Sequence, residues 1–171
     1  MPTTATTPSH SFACAMIGRA VSWLNRVPYA VLALPLRFAV ATVFWNSAMA
    51  KLANWETTIS LFTDDYKVPL LPPVVAANMA LAIELTAPVL LVLGLFTRVA
   101  ALVLLGMTAV IEIFVYPQAW PTHIQWAAML LVLLCRGAGE ASLDRLLWRL
   151  FGKWFDADAE RARRNQVMNQ M

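Results

Sequence analysis

Polar residues in this chain are gathered between long apolar blocks instead of alternating with them. Tyr29 to Lys51 is apolar apart from Arg37, Asn46 and Lys51 as its main polar groups, with Pro35 near its start. Pro73 to Gly94 is apolar except for Asn78, Glu84 and Thr86, and Val99 to Tyr116 carries the acid Glu112. Each of these blocks is close to the ~20 residues a helix needs to cross ~30 Å of hydrocarbon. A fourth block runs from about Thr122 to Cys135, with a short apolar centre at Ile124 to Leu134. At either end the pattern becomes amphipathic. In Phe12 to Val27, Met16, Ala20, Trp23, Leu24 and Val27 recur at helical spacing, with Arg19, Ser22, Asn25 and Arg26 elsewhere on the turn. From Leu143 to Trp154, Leu143, Leu146, Leu147, Leu150, Phe151 and Trp154 form a stripe opposite Asp144, Arg145, Arg149 and Lys153, after a candidate N-cap at Ser142. Such helices lie in the plane of a membrane surface. The pattern predicts an all-α integral membrane protein, a four-transmembrane-helix bundle with interfacial amphipathic helices at both ends.

The connections fit that scheme. Residues 1–11 are rich in Ser, Thr and Pro and read as disordered; residues 12–155 form the membrane domain; residues 156–171 read as a disordered polar tail. In the long connection Asn54 to Pro72, Trp55, Ile59 and Phe62 fall at i, i+4 and i+7, predicting a short helix capping the bundle. Its acids Asp64 and Asp65 read as a solvated turn, with cation binding as the less favoured alternative. Tyr116 to Pro121 breaks the third block and supplies interfacial aromatics.

Composition sharpens the class. The 171 residues are 60% hydrophobic and 13% charged, far below the quarter usual in soluble domains. A net charge of +3 is too small for a nucleic-acid footprint. Cys14 and Cys135 stand apart from any Cys/His cluster, which argues against a zinc or thiol redox centre. The N-terminus lacks the pattern of a cleaved leader, so the first span is expected to act as an uncleaved signal. Arg19, Arg26, Arg98, Arg136 and the basic tail fall on one side of a four-span arrangement, with Lys51 and Lys67 on the other. Positive charge stays inside, so both termini are expected in the cytoplasm.

Charge inside the apolar blocks carries the candidate chemistry. A carboxylate near mid-membrane, as at Glu84, costs at least ~2.5 kcal/mol unless it finds protein or water. Arg37 lies eight residues beyond Tyr29, or ~12 Å, and Glu84 ten residues from Gly94, or ~15 Å, if both helices begin at one level. This predicts an inner intramembrane pair, Arg37 with Glu84, and an outer polar cluster of Lys51, Glu112 and His123. Trp120 and Trp126 read as belt or packing residues. Buried pairs can be simple struts between helices; otherwise they mark a proton, quinone or small-substrate site.

Several stretches together resemble the DoxX family of small four-helix membrane proteins of bacteria and archaea. They are Arg37 with the following FWNSAMAKL, then VPLLPP, the acid within AIELTAPVLLVLGLFTR, and SLD after a Gly-rich break. DDYKVPLLPP together with EIFVYPQAWPTHIQWA resembles the DoxX subgroup found beside multinuclear-iron peptide-modifying enzymes. The likeness covers roughly residues 30–150. It departs where many members place a Gly before the lysine of the first span and this chain has Ser47-Ala48. The resemblance implies a multi-pass protein of the bacterial inner membrane and a redox connection through quinone as cofactor. It also implies soluble redox or peptide-modifying partners. No haem, flavin or metal motif accompanies it, so an accessory subunit is expected more than an autonomous enzyme. A small proton-coupled transporter or export component, and a structural membrane anchor, are the alternatives. Homo-oligomerisation is compatible with so small a bundle.

Overall fold

The computed structural model describes residues 9–66 and 71–150. What the sequence predicts for residues 1–8, for Lys67 and for the tail from Phe151 onward lies outside them.

All elements among the described residues are helical. Helix α1 is Ser9–Leu24, α2 is Tyr29–Ala53 and α3 is Trp55–Leu61, which runs on into a π-helical turn, Phe62–Tyr66. Helix α4 is Pro73–Leu93 and α5 is Thr97–Val110, extended by a second π-helical turn, Ile111–Val115. A short 3-10 turn, Pro117–Ala119, leads into α6, Trp120–Arg136, and residues 143–150 form α7.

Four helices make the body of the molecule, and each buries one stripe. On α2 the stripe is Ala33, Arg37, Val40, Ala41, Phe44 and Ala48, spaced at three and four residues. On α5 it is Thr97, Ala100, Ala101, Leu104 and Thr108, and on α6 His123, Leu130 and Leu133. Small residues on these stripes let the backbones approach closely, which is how helices gain packing energy where lipid is as apolar as the side chains. Helix α2 packs on α4, α4 on α5, α5 on α6, and α6 back on α2, closing a ring. Val40, Phe44, Ala87, Leu91, Leu104, Leu130 and Leu133 fill its centre.

The outward faces are as apolar as the core. Val31, Leu32, Phe38, Val99 and Leu102 are all more than half exposed, which no water-facing surface would tolerate in such density. They are the lipid-contacting faces of a membrane protein. Helices Tyr29–Ala53, Pro73–Leu93 and the continuous Thr97–Val115 are each long and apolar enough to cross a bilayer. Helix α6 has 17 residues, a rise of ~25 Å, and completes the ring.

Helix α3 and its π-helical turn lie over the end where α4 begins. Phe62 is buried against Ala76 and Ala77, with Trp55, Ile59 and Tyr66 around it, so the i, i+4, i+7 stripe does cap the bundle. Helix α1 starts at Ser9, earlier than the amphipathic segment read from sequence, and its side chains from Cys14 to Leu24 are all exposed.

Candidate functional site

Glu84 is 1% exposed, on the inner face of α4, and its neighbours come from α2. Lys51 Nζ donates to both carboxylate oxygens at 2.8 Å and to Ser47 Oγ at 2.8 Å, while Ser47 Oγ donates to Glu84 Oε1 at 3.0 Å. Ser47 and Lys51 are one turn apart and so share a face. The two helices run antiparallel, and each side chain leans toward the N-terminus of its own helix. Lys51 therefore leans back into the bundle as Glu84 leans outward, and the charges converge.

The expected pair of Arg37 with Glu84 does not form. Its premise, that Tyr29 and Gly94 mark one level, is what fails. A Cβ on Gly94 would touch the Arg37 guanidinium at 2.8 Å, so Arg37 is level with the end of α4. Glu84 lies ten residues further along, level with Ser47. Helix α2 thus overhangs α4 by the eight residues from Tyr29 to Arg37, ~12 Å.

Arg37, 2% exposed, is satisfied by main-chain carbonyls instead. Its Nε donates to Leu91 O at 2.6 Å, Nη1 to Ala141 O at 2.8 Å and Ala138 O at 3.3 Å, and Nη2 to Val92 O. Leu91 and Val92 lie in the last turn of α4, where carbonyls run out of i+4 partners and a cation is favoured; Leu91 O also accepts the N–H of Gly94 at 3.1 Å. The same end is closed by Asp144, whose carboxylate accepts the backbone N–H groups of Phe96 at 2.9 Å and Thr97 at 3.3 Å, capping α5. Asp144 N donates to Gly94 O at 3.0 Å, and Tyr29 Oη donates to Gly137 O at 3.0 Å. Arg37 and Asp144 together form a latch that fastens the segment after α6 beneath the α4–α5 connection. Ser142 accepts the N–H of Arg145 at 3.3 Å, as the N-cap of α7 should.

Between the four helices, at the end away from the latch, lies a cavity of about 420 Å³. Phe44, Ile83, Val103, Met107, Ile111 and Trp126 make it mostly apolar. Lys51 and Glu84 open onto it from α2 and α4, and His123 from α6. Imidazole Nδ1 of His123 sits 2.6 Å from Glu112 Oε2, and its ring is 4.9 Å from that of Trp126. Of the expected outer cluster, then, Glu112 and His123 meet directly, while Lys51 belongs to Glu84. Glu112 stands on the π-helical turn of α5, a wider turn that often marks a functional position. On α4 the N–H missing at Pro88 frees the carbonyl of Glu84 from its helical partner.

Tyr66 and Tyr116 add a phenolic rim. Their hydroxyls are 3.1 Å apart and their rings meet edge to face with centroids at 5.7 Å. Burial, and then the hydrogen bond with Tyr116, pushes the Tyr66 phenol up from its ordinary value, so it stays neutral. Sequence reasoning missed Tyr66, read Tyr116 only as an interfacial aromatic and noted Ser47 only as a departure from the family pattern, although Ser47 stands four residues before Lys51; Trp126, read as a belt or packing residue, also walls the cavity. Asp64 accepts a hydrogen bond from Ser60 at 3.1 Å on the surface. Among the described residues no group of three or more His, Cys, Asp or Glu side chains is placed to hold a metal ion.

A family profile described as DoxX matches residues 32–117, a stretch that includes Arg37, Lys51, Glu84 and Glu112. An uncharacterized protein of Haemophilus influenzae is 29% identical over 130 residues, covering 69% of this chain and 84% of the relative. No solved structure matches.

Proposed function

This chain belongs to the DoxX family, and from that premise we propose that it is a quinone-associated accessory subunit of the bacterial inner membrane, working with a soluble redox partner. One observation carries the reading: two hydrogen-bonded acid–base pairs, Lys51 with Glu84 and His123 with Glu112, meet at one apolar cavity. A cavity of about 420 Å³ suits a drug-sized ring. His123 is a donor for one ring carbonyl oxygen, the ammonium of Lys51, whose N–H groups go to Glu84 and Ser47, sets a positive charge beside the other, and Phe44 and Trp126 supply aromatic wall. When bound, a quinone supplies two-electron, two-proton redox chemistry. Glu84 and Glu112 hold these two side chains in place and keep protons at hand on either side of the ring. Helix α6 is taken as a fourth span, and the Lys/Arg asymmetry supports both termini in the cytoplasm.

The test is binding of a short-chain quinone to the purified protein, read as quenching of tryptophan fluorescence with Trp126→Phe identifying the responding indole. Lys51→Met with Glu84→Leu removes the pair without leaving an orphaned charge, so the bundle should survive while quenching is lost. Saturable quenching that is unchanged in this variant overturns the reading.

A transport reading has one specific observation behind it: the acids sit where α4 and α5 depart from regular helix, at Pro88 and at Ile111–Val115. Interrupted helices line the ion sites of many transporters. Proton flux in reconstituted vesicles that Glu84→Gln abolishes would favour it over quinone association.

A further inference from the structure

At the latched end of the bundle, a second and larger cleft of about 980 Å³ opens between the start of α2, the α4–α5 connection and the end of α6. Its charges do not cancel. Glu140 is taken by Arg145 in an exposed ion pair, and Asp144 is committed to the amides of Phe96 and Thr97. Arg98 and Arg136 also line the cleft, and among the described residues neither has a carboxylate partner. Arg98 has one long bond to Cys135 O at 3.4 Å, and Arg136 stacks over Tyr29 with its Cζ 5.6 Å from the ring centre.

An independent observation points to a ligand. Thr97 lines the same cleft at 1% exposure, and its hydroxyl is a buried polar atom without a hydrogen-bond partner. A buried hydroxyl left unsatisfied is costly, and such groups are few in any fold. Two guanidiniums and a hydroxyl are the donor set of a phosphate ester. The rim then selects among phosphate esters. Phe96, 63% exposed and held at a left-handed φ of 48°, and Trp148, 79% exposed, present aromatic rings beside the charges. Aromatic side chains of this kind settle at the headgroup level of a bilayer.

We propose that this cleft binds the phosphodiester headgroup of an anionic phospholipid, with Arg98 and Arg136 pairing its charge and Thr97 turning its buried hydroxyl into the cleft to donate a hydrogen bond. The lipid holds the inner end of the bundle at a defined depth, and basic clefts at helix ends are suited to such headgroups. This site is separate from the cavity at Glu84 and does not depend on what that cavity takes.

The experiment is native mass spectrometry of the full chain in detergent, titrated in parallel with phosphatidylglycerol, phosphatidylcholine and inorganic phosphate. Phosphatidylglycerol should be retained in preference to phosphatidylcholine. Arg98→Gln with Arg136→Gln should weaken that retention on the order of 10- to 30-fold. Arg19→Gln with Arg26→Gln, which removes the same charge elsewhere, should leave it unchanged. Thr97→Val should weaken retention while leaving the melting temperature of the lipid-free protein unchanged or raised, because no bond is lost. Equal retention of the two lipids overturns the proposal, as does equal loss in both arginine pairs. Displacement of phosphatidylglycerol by millimolar inorganic phosphate would make the site one for the free anion and overturn the lipid assignment.

Discussion

Arg37 and Lys51 lie on one face of one helix, yet they are neutralised in different ways. Lys51 has a carboxylate, and Arg37 has carbonyls from two separate segments. That difference fixes what substitution should do. Lys51→Met and Glu84→Leu should each lower the detergent melting temperature, by the equivalent of about 3–5 kcal/mol if the orphaned partner stays charged. The double variant should lose clearly less than the sum. Arg37 and Glu84 touch nothing in common, so Arg37→Met with Glu84→Leu should be additive to within about 0.5 kcal/mol. Coupling between Arg37 and Glu84 in thermal melts would contradict the observed register. Arg37→Lys is not a conservative change here. A single ammonium lacks the guanidinium fork that reaches Leu91 and Ala141 at once, so at least about 1.5 kcal/mol should still be lost. The charges themselves were legible in the sequence, because an ionisable residue in an apolar block must have a partner. Their pairing was not. Helical periodicity fixes which face a residue shares, but how far one helix slides along another is set by packing at its ends.

The connections between helices carry as much of the architecture as the helices do. Gly94 has φ of 68°, and a Cβ there would meet Ser142 Cβ at 2.7 Å as well as Arg37. Gly94→Ala should therefore cost at least the ~1–2 kcal/mol of a left-handed alanine and should open the latch, read as faster proteolysis between Gly137 and Asp144. Cleavage there at the wild-type rate would mean the latch does not depend on that close approach. The apolar blocks of α2, α4 and α5 were readable because their apolar runs are long enough to span a bilayer, and the capping stripe of Trp55, Ile59 and Phe62 because it keeps helical spacing. The two π-helical turns were not, since one extra residue per turn leaves no mark on a short hydrophobic pattern. Yet they place Tyr66 and Tyr116 against each other. Tyr66→Phe should loosen this contact and raise the rate at which a small probe reaches Trp126, followed as collisional quenching.

For the whole molecule, closure of the ring by α6 is the step on which topology turns. Reporter fusions at Leu71 and Met171 should report outside and cytoplasm respectively; both on one side would mean that α6 does not cross. Sequence pattern gave the membrane class directly, through 60% hydrophobic residues in long blocks. Helix α6, at 17 residues, takes its place in the ring through its packing on α5 and α2, which no single-segment reading can see. Asp144 also bears on how the protein is made. The carboxylate that caps the start of α5 comes 47 and 48 residues later in the chain, and two of the carbonyls that hold Arg37 come more than a hundred residues after it. During synthesis α2, α4 and α5 must therefore enter the bilayer with this end unfinished, the arginine lacking half its partners. Until Ala141 emerges, the nascent chain would therefore present an incompletely partnered guanidinium to the machinery that inserts it.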